Sequence, residues 1–101
     1  MPNIADEKAS PGLEEFSLEF HGDRVQEVNL ILELVNKKDL EGVRKIAHKW
    51  KGFCEPYGFN FLEELSINLE RAAIDKNLSQ IENTINDIMG YLKEKEVYIR
   101  K

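Results

Sequence analysis

Apolar residues recur every three or four positions along most of this chain. This is the spacing at which side chains share one face of an α-helix. No segment shows the apolar–polar alternation of a strand. The pattern predicts an all-α protein, an antiparallel four-helix bundle with a short additional N-terminal helix. The clearest stripes are Val25, Val28, Ile31, Leu32 and Val35; Leu62, Leu65, Leu69 and Ala72; and Leu78, Ile81, Ile85, Ile88 and Leu92.

The first part of the chain is predicted to contain a tail and a broken helix. Residues 1–10 are mostly polar and are expected to form a flexible N-terminal tail, which leaves residues 11–101 for the bundle. A short helix should begin near Pro11, since proline is tolerated in the first helical turn. The His-Gly-Asp sequence at residues 21–23 is expected to interrupt that helix, with Asp23 capping the next one.

The third helix is predicted to begin after Asp39 and to end near Glu55, because Pro56 cannot continue it. Its apolar residues fall in one sector of the helical wheel, nearly opposite His48. The histidine therefore lies in the middle of the face that is expected to meet solvent. The apolar sector contains Val43, Ile46, Ala47, Trp50, Phe53 and Cys54.

A glycine and several cations share this face with His48. Each residue turns the helix by about 100°, so Lys51 lies at about −60° and Gly52 at about +40° from the histidine. A glycine inside a helix costs roughly 0.5 to 1 kcal/mol relative to alanine, so Gly52 indicates that the space is needed. The other cations on this side are Arg44, Lys45 and Lys49.

An exposed neutral imidazole suggests nucleophilic chemistry. Its reference pKa of about 6.5 leaves much of it unprotonated near neutral pH, so it can accept a phosphoryl group. A nearby ammonium such as Lys51 would stabilise the charge of that group. Without further context, however, His48 can equally be an incidental surface residue and the cations an ordinary solvated helix face.

The spacing of Ala47-His48, Lys51-Gly52, Gly58 and Leu62 resembles that of histidine-containing phosphotransfer (HPt) domains. This resemblance implies that His48 is the phosphoacceptor, that Lys51 stabilises the phosphoryl group and that Gly52 leaves room for the partner. Gly58-Phe59 and Glu70 are similar to the phosphotransfer domain of chemotaxis-type histidine kinases, in which such a glutamate hydrogen-bonds the imidazole. The implied docking surface comprises Gly52, Arg44, Lys45, Lys49 and Glu55. Trp50 departs from the family, which usually has leucine there.

The resemblance implies a phosphocarrier of a two-component phosphorelay, with no kinase activity or nucleotide site of its own. Its partners would be a response-regulator receiver domain, a histidine kinase or both, and the receiver would supply the magnesium. Two alternatives stay open. The chain can be the phosphoacceptor domain of a chemotaxis-type kinase, or a helical adaptor that is not phosphorylated.

Composition narrows the classes of function further. The chain has 101 residues with 14 basic and 19 acidic side chains, a net charge of −5, which argues against nucleic-acid binding. No apolar stretch approaches the roughly 20 residues of a membrane span. The start of the chain lacks the layout of a signal peptide, and a cytoplasmic protein is expected. The two histidines and the single cysteine form no metal-ligand pattern, and Cys54 is expected to be a core residue.

Overall fold

The computed structural model describes residues 3–100 and consists of four α-helices with short 3₁₀ turns. The prediction of an all-α bundle is confirmed, and no residue from 3 to 100 forms a strand. Residues 1, 2 and 101, at the ends of the predicted tail and domain, lie outside the described part. The helices are α1 (Ser17–Asn36), α2 (Leu40–Lys51), α3 (Asn60–Ile74) and α4 (Leu78–Ile99), and the 3₁₀ turns are Ile4–Asp6, Glu14–Phe16 and Glu55–Tyr57.

The helices pack around one core, and each contacts two neighbours closely. α2 packs against α1 and α3, and α4 packs against the same two helices, so α2 and α4 are diagonal to each other. The connections at residues 37–39 and 75–77 are short, which makes the joined helices antiparallel. Fully buried side chains of the core include Ile31, Val43, Trp50, Phe59, Leu62, Leu69, Ile81 and Ile88.

Two of the connections have the same local design. Lys38 and Lys76 adopt positive φ angles, 59° and 54°, which end the preceding helix. The next residue then caps the following helix. The side chain of Asp39 accepts a hydrogen bond of 3.0 Å from the backbone N–H three residues later, and Asn77 accepts one of 3.1 Å in the same way. The predicted start of α2 after Asp39 is therefore confirmed.

The predicted break at residues 21–23 is wrong, because α1 runs through it without interruption. His21 is buried and its Nε2 donates to the carbonyl oxygen of Leu92 at 2.7 Å, which fixes this part of α1 against α4. A Cβ at Gly22 would meet nothing within 4 Å, so this glycine marks no close approach. The packing of His21 against α4 outweighs the low helix propensity of its neighbours.

Residues 3–10, predicted as part of a flexible tail, lie against the bundle. Ile4 is buried, and the side chain of Glu7 is only 5% exposed. Glu7 Oε1 accepts hydrogen bonds from Tyr91 Oη at 2.6 Å and Lys95 Nζ at 2.9 Å. Its Oε2 accepts from the backbone N–H of Phe61 at 2.7 Å, in the first turn of α3. A carboxylate distant in sequence thus caps a helix that has no side-chain cap of its own.

Gly58 is the point where this N-terminal segment passes closest to the connection between α2 and α3. Its φ is +83°, and a Cβ there would lie 2.6 Å from the backbone nitrogen of Ala9. Both the backbone conformation and the close approach therefore require glycine. Lys95 donates to the carbonyl oxygen of Gly58 at 2.7 Å and ties α4 to the same point.

The lengths and compositions of the helices also bear on membranes. Among residues 3–100, no helix is both long enough and apolar enough to cross a bilayer.

Candidate functional site

His48 lies on the solvent face of α2, as the helical pattern predicts. Val43, Ala47 and Trp50 are fully buried on the opposite face, whereas the side chain of His48 is 64% exposed. Exposure leaves the imidazole accessible to a second molecule.

One carboxylate from α3 holds both His48 and Lys51. The Nδ1 atom of His48 lies 2.8 Å from Glu70 Oε2, and Lys51 Nζ donates to Glu70 Oε1 at 2.7 Å. Glu70 itself is only 13% exposed. The hydrogen bond from Lys51, followed by that from His48, lowers the pKa of Glu70 and keeps it ionised. An ionised carboxylate accepts only, so His48 donates through Nδ1, and in a neutral ring the lone pair is on Nε2.

Gly52 is the C-cap of α2, whereas the sequence placed it inside a longer helix. The α-helix ends at Lys51, and Gly52 has a φ of −89°, so its backbone conformation does not require glycine. Among the described residues, a Cβ at Gly52 would come within 4 Å of only one atom, the carbonyl oxygen of Lys49 at 3.9 Å. No side chain among residues 3–100 fills the space beside this glycine.

The end of α2 differs from the prediction in a second respect. The helix was expected to reach Glu55, but residues 52–54 form turns and Glu55 begins a separate 3₁₀ turn with Pro56. The backbone N–H groups of Phe53 and Cys54 both bond to the carbonyl oxygen of Trp50, which closes the helix early. Glu55, the first residue of the 3₁₀ turn, is exposed to solvent.

Arg44 and Lys45 differ in how freely their charges are available. Arg44 forms two hydrogen bonds of 2.7 Å with Glu41, which lower the pKa of that carboxyl group and raise that of the guanidinium. Lys45 is exposed and forms no ion pair among the described residues. The charge of Arg44 is therefore partly neutralised by Glu41, whereas that of Lys45 is more available to a partner.

A second carboxylate, which the sequence analysis missed, lies on the α1 side of His48. Glu27 Oε1 accepts from the buried indole of Trp50 at 2.9 Å and lies 2.8 Å from Arg24 Nε, while Oε2 pairs with Lys49 Nζ. The sequence signal that could have revealed Glu27 is Trp50, because a buried indole N–H needs a hydrogen-bond acceptor.

Arg24 completes this cluster from within the protein. Its guanidinium carbon lies 4.4 Å from the centroid of Phe20 and 4.5 Å from that of Phe53, so the charge packs against two aromatic rings. The Nε and Nη1 atoms are buried and have no hydrogen-bond partner among the described residues, although Nε lies within ion-pair distance of Glu27. The Glu27 carboxylate is thus the anionic partner of a buried cation.

Cys54 is buried in the core, in agreement with the sequence. Burial raises the pKa of its thiol to about 12, so the reactive thiolate is scarce at neutral pH. Within residues 3–100, no group of three or more His, Cys, Asp or Glu side chains is arranged to hold a metal ion.

The chain was also compared with known proteins. Neither the protein-family models, nor the curated proteins, nor the solved structures gave a match.

Proposed function

We propose that this protein is a histidine phosphotransfer domain that carries a phosphoryl group on Nε2 of His48. The observation that carries the proposal is the bond between His48 Nδ1 and Glu70, which directs the lone pair of the neutral ring to the exposed nitrogen. The motif formed by His48, Lys51 and Gly52 supports the same reading.

The reaction with a phosphorylated receiver is an in-line displacement. The Nε2 lone pair attacks phosphorus, an N–P bond forms, and the P–O bond to the receiver's aspartate breaks, so the aspartate leaves as a carboxylate. The Nδ1 proton stays on the ring, which gains positive charge as the N–P bond forms. Glu70 stabilises that charge because its carboxylate lies 2.8 Å from Nδ1. Transfer in the opposite direction reverses these steps.

Lys51 has a place in this reaction because it shares Glu70 with the histidine. Its ammonium is held 2.7 Å from Glu70 Oε1, one helical turn from His48. The incoming phosphoryl oxygens would offer Lys51 a second anionic partner on the same side of the helix. The receiver would supply magnesium, and this chain would supply the nucleophile, the carboxylate that stabilises the phosphorylated ring, and one cation.

The bond between Glu70 and His48 also favours a second reading, in which the chain is the phosphoacceptor domain of a chemotaxis-type kinase. The nucleophile and its partners would be the same, and the phosphoryl donor would be ATP bound to the kinase core. In either case we place the protein in the cytoplasm, where receivers and kinase cores act.

Chemical phosphorylation tests the proposal without a partner. Phosphoramidate should produce an acid-labile phosphohistidine in the parent, and a receiver domain should then remove it. His48→Gln should take up no label, and its melting temperature should stay close to that of the parent because the side chain is exposed. His21→Gln is the control for the other histidine. A helical adaptor would take up no label at His48, whereas labelling of His48→Gln would contradict the assignment.

A further inference from the structure

The His48 face is bordered on both sides by a carboxylate from a neighbouring helix. Glu70 on α3 holds Lys51, and Glu27 on α1 holds Lys49. Both lysines are on α2 and follow the histidine, Lys49 directly and Lys51 three residues later. Glu70 touches the imidazole itself, whereas Glu27 contacts only residues around it.

The Glu27 carboxylate is held by a buried hydrogen-bond donor and a buried cation, so it is a rigid anchor for Lys49. Trp50 is fully buried and donates its indole N–H to Oε1 at 2.9 Å, and Arg24 lies 2.8 Å from the same oxygen. Neither of these buried groups can follow the carboxylate into solvent. Lys49 is the exposed member of the cluster, with a side chain that is 56% exposed.

This arrangement reduces the positive charge that the docking surface presents. Of the four cations on the His48 face, Arg44 is paired with Glu41, Lys49 with Glu27 and Lys51 with Glu70. Arg24 adds a further positive charge to the Glu27 cluster, but it is buried against aromatic rings. An acidic partner therefore meets fewer available cations than the sequence of α2 suggests.

We propose that Glu27 is a specificity-determining residue of the docking surface. By holding Lys49 against α1, it withholds one positive charge from the partner and weakens the docking of strongly acidic surfaces. Discrimination against such surfaces then depends on a carboxylate that never touches the phosphoryl group. This inference rests on the proposed phosphotransfer function.

Glu27→Gln tests the proposal by removing the charge while leaving an amide oxygen for the indole of Trp50. Released Lys49 should lower the KM for a phosphorylated receiver by about two- to threefold at low salt, the size of one charge–charge interaction at about 6 to 10 Å in water. The change should appear in KM and not in kcat, and should shrink in high salt. Adding Lys49→Met should cancel it.

Glu94→Gln is the matched control, since it makes the same charge change at an exposed residue of α4, diagonal to α2. It should leave KM close to the parental value. An equal decrease in KM with Glu94→Gln would mean that net charge alone acts, and an unchanged KM with Glu27→Gln would overturn the proposal.

A second pair of variants keeps the test valid if loss of Glu27 disturbs the fold around Arg24. Lys49→Gln should raise KM less than Lys45→Gln does, because Lys45 has no ion pair in the described part of the chain. Equal increases would overturn the proposal. If phosphoramidate fails to label His48, the proposed function itself fails. If labelling and transfer proceed but these comparisons do not hold, only the role of Glu27 falls.

Discussion

At the residue scale, the central feature of the site is the Glu70 carboxylate, whose two oxygens accept hydrogen bonds from two different side chains of α2. Oε2 bonds to His48 and Oε1 to Lys51. Two exposed side chains would otherwise sample many rotamers, and fixing them costs entropy. A largely buried acceptor that meets both donors reduces that cost at the moment of reaction.

Replacing Glu70 with glutamine should slow phosphorylation of His48. Glutamine can either accept from Nδ1 or donate to it, so it does not fix the tautomer, and it lacks the charge that stabilises the phosphorylated ring. We expect a rate roughly tenfold lower, equivalent to about 1.4 kcal/mol in the barrier. Initial rates of phosphoramidate labelling measure this. A rate equal to that of the parent would remove Glu70 from the mechanism.

The same carboxylate should contribute to stability in a pH-dependent way. Hydrogen bonds from Lys51 and His48 hold the pKa of Glu70 below its ordinary value of 4.5. Its stabilising effect is therefore present above the pKa of the unfolded chain and is lost as the pH falls through the lowered pKa. Urea midpoints should fall further between about pH 5 and pH 3 for the parent than for Glu70→Gln. Parallel curves would show that Glu70 is not preferentially ionised in the fold.

Gly52 is the second residue whose proposed role depends on a partner molecule. Its backbone is ordinary and its side is open, so Gly52→Gln should melt close to the parental temperature. Transfer with a receiver should nevertheless slow, because the new side chain would occupy the space beside His48. Gly90→Gln, in an equally open position on α4, is the control for both measurements. Parental transfer by Gly52→Gln would mean that the partner does not use this space.

At the scale of elements, the sequence pattern predicts those features of the helices that depend on residues close together in the chain. The apolar stripes place the helices, Asp39 caps α2, and His48 is exposed because Val43, Ala47 and Trp50 fill the opposite face. The continuous α1 could not be predicted in the same way. It depends on the contact between His21 and Leu92, which are 71 positions apart.

The N-terminal segment was misread for the same reason. Residues 1–10 are polar, and a local reading makes them a tail, yet Glu7 has its partners 54 to 88 positions away. The pairing of Glu27 with Trp50 likewise joins α1 to α2 across 23 positions. Sequence reasoning found the residues on the reactive face of α2 and missed Glu27, a support supplied by another helix.

Glu7→Gln should destabilise the protein strongly. Lys95 is only 4% exposed and would keep its charge next to a neutral amide, and breaking a buried ion pair typically costs about 3 to 5 kcal/mol. The hydrogen bond to the first turn of α3 would weaken as well. Chemical denaturation measures the loss. Asp6→Asn, at the exposed neighbouring position, should change stability by less than about 0.5 kcal/mol.

A double substitution separates the charge from the packing of this segment. Glu7→Met with Lys95→Met removes both charges together and should recover much of the stability lost in Glu7→Gln, because no buried charge is left unpaired. If Glu7→Gln were as stable as the parent, the N-terminal segment would not be an integral part of the bundle.

At the scale of the whole molecule, the bundle uses its helices unequally. α2 carries His48, the proposed nucleophile, and the cations around it, while α1 and α3 provide the carboxylates that hold these side chains. α4 packs behind them, diagonal to α2, and anchors the N-terminal segment through Tyr91 and Lys95. The net charge of −5 therefore does not describe the reactive face, where the side chains of α2 are mostly basic.

If the partner supplies the metal and this chain supplies the histidine, two phosphorylation reactions of His48 should differ in their need for magnesium. Transfer between His48 and a receiver should require magnesium, because the metal belongs to the receiver's phospho-acceptor site and neutralises the charge that develops there. Labelling by phosphoramidate involves only this chain, whose contributions are the lone pair of Nε2, the Glu70 carboxylate and the ammonium of Lys51. EDTA should therefore stop receiver transfer and leave the rate of phosphoramidate labelling unchanged. Adding magnesium in excess should restore the transfer, and adding it to the chain alone should not speed the labelling. Labelling that stopped in EDTA would show that this chain itself binds the metal, and the assignment of magnesium to the partner would then be wrong.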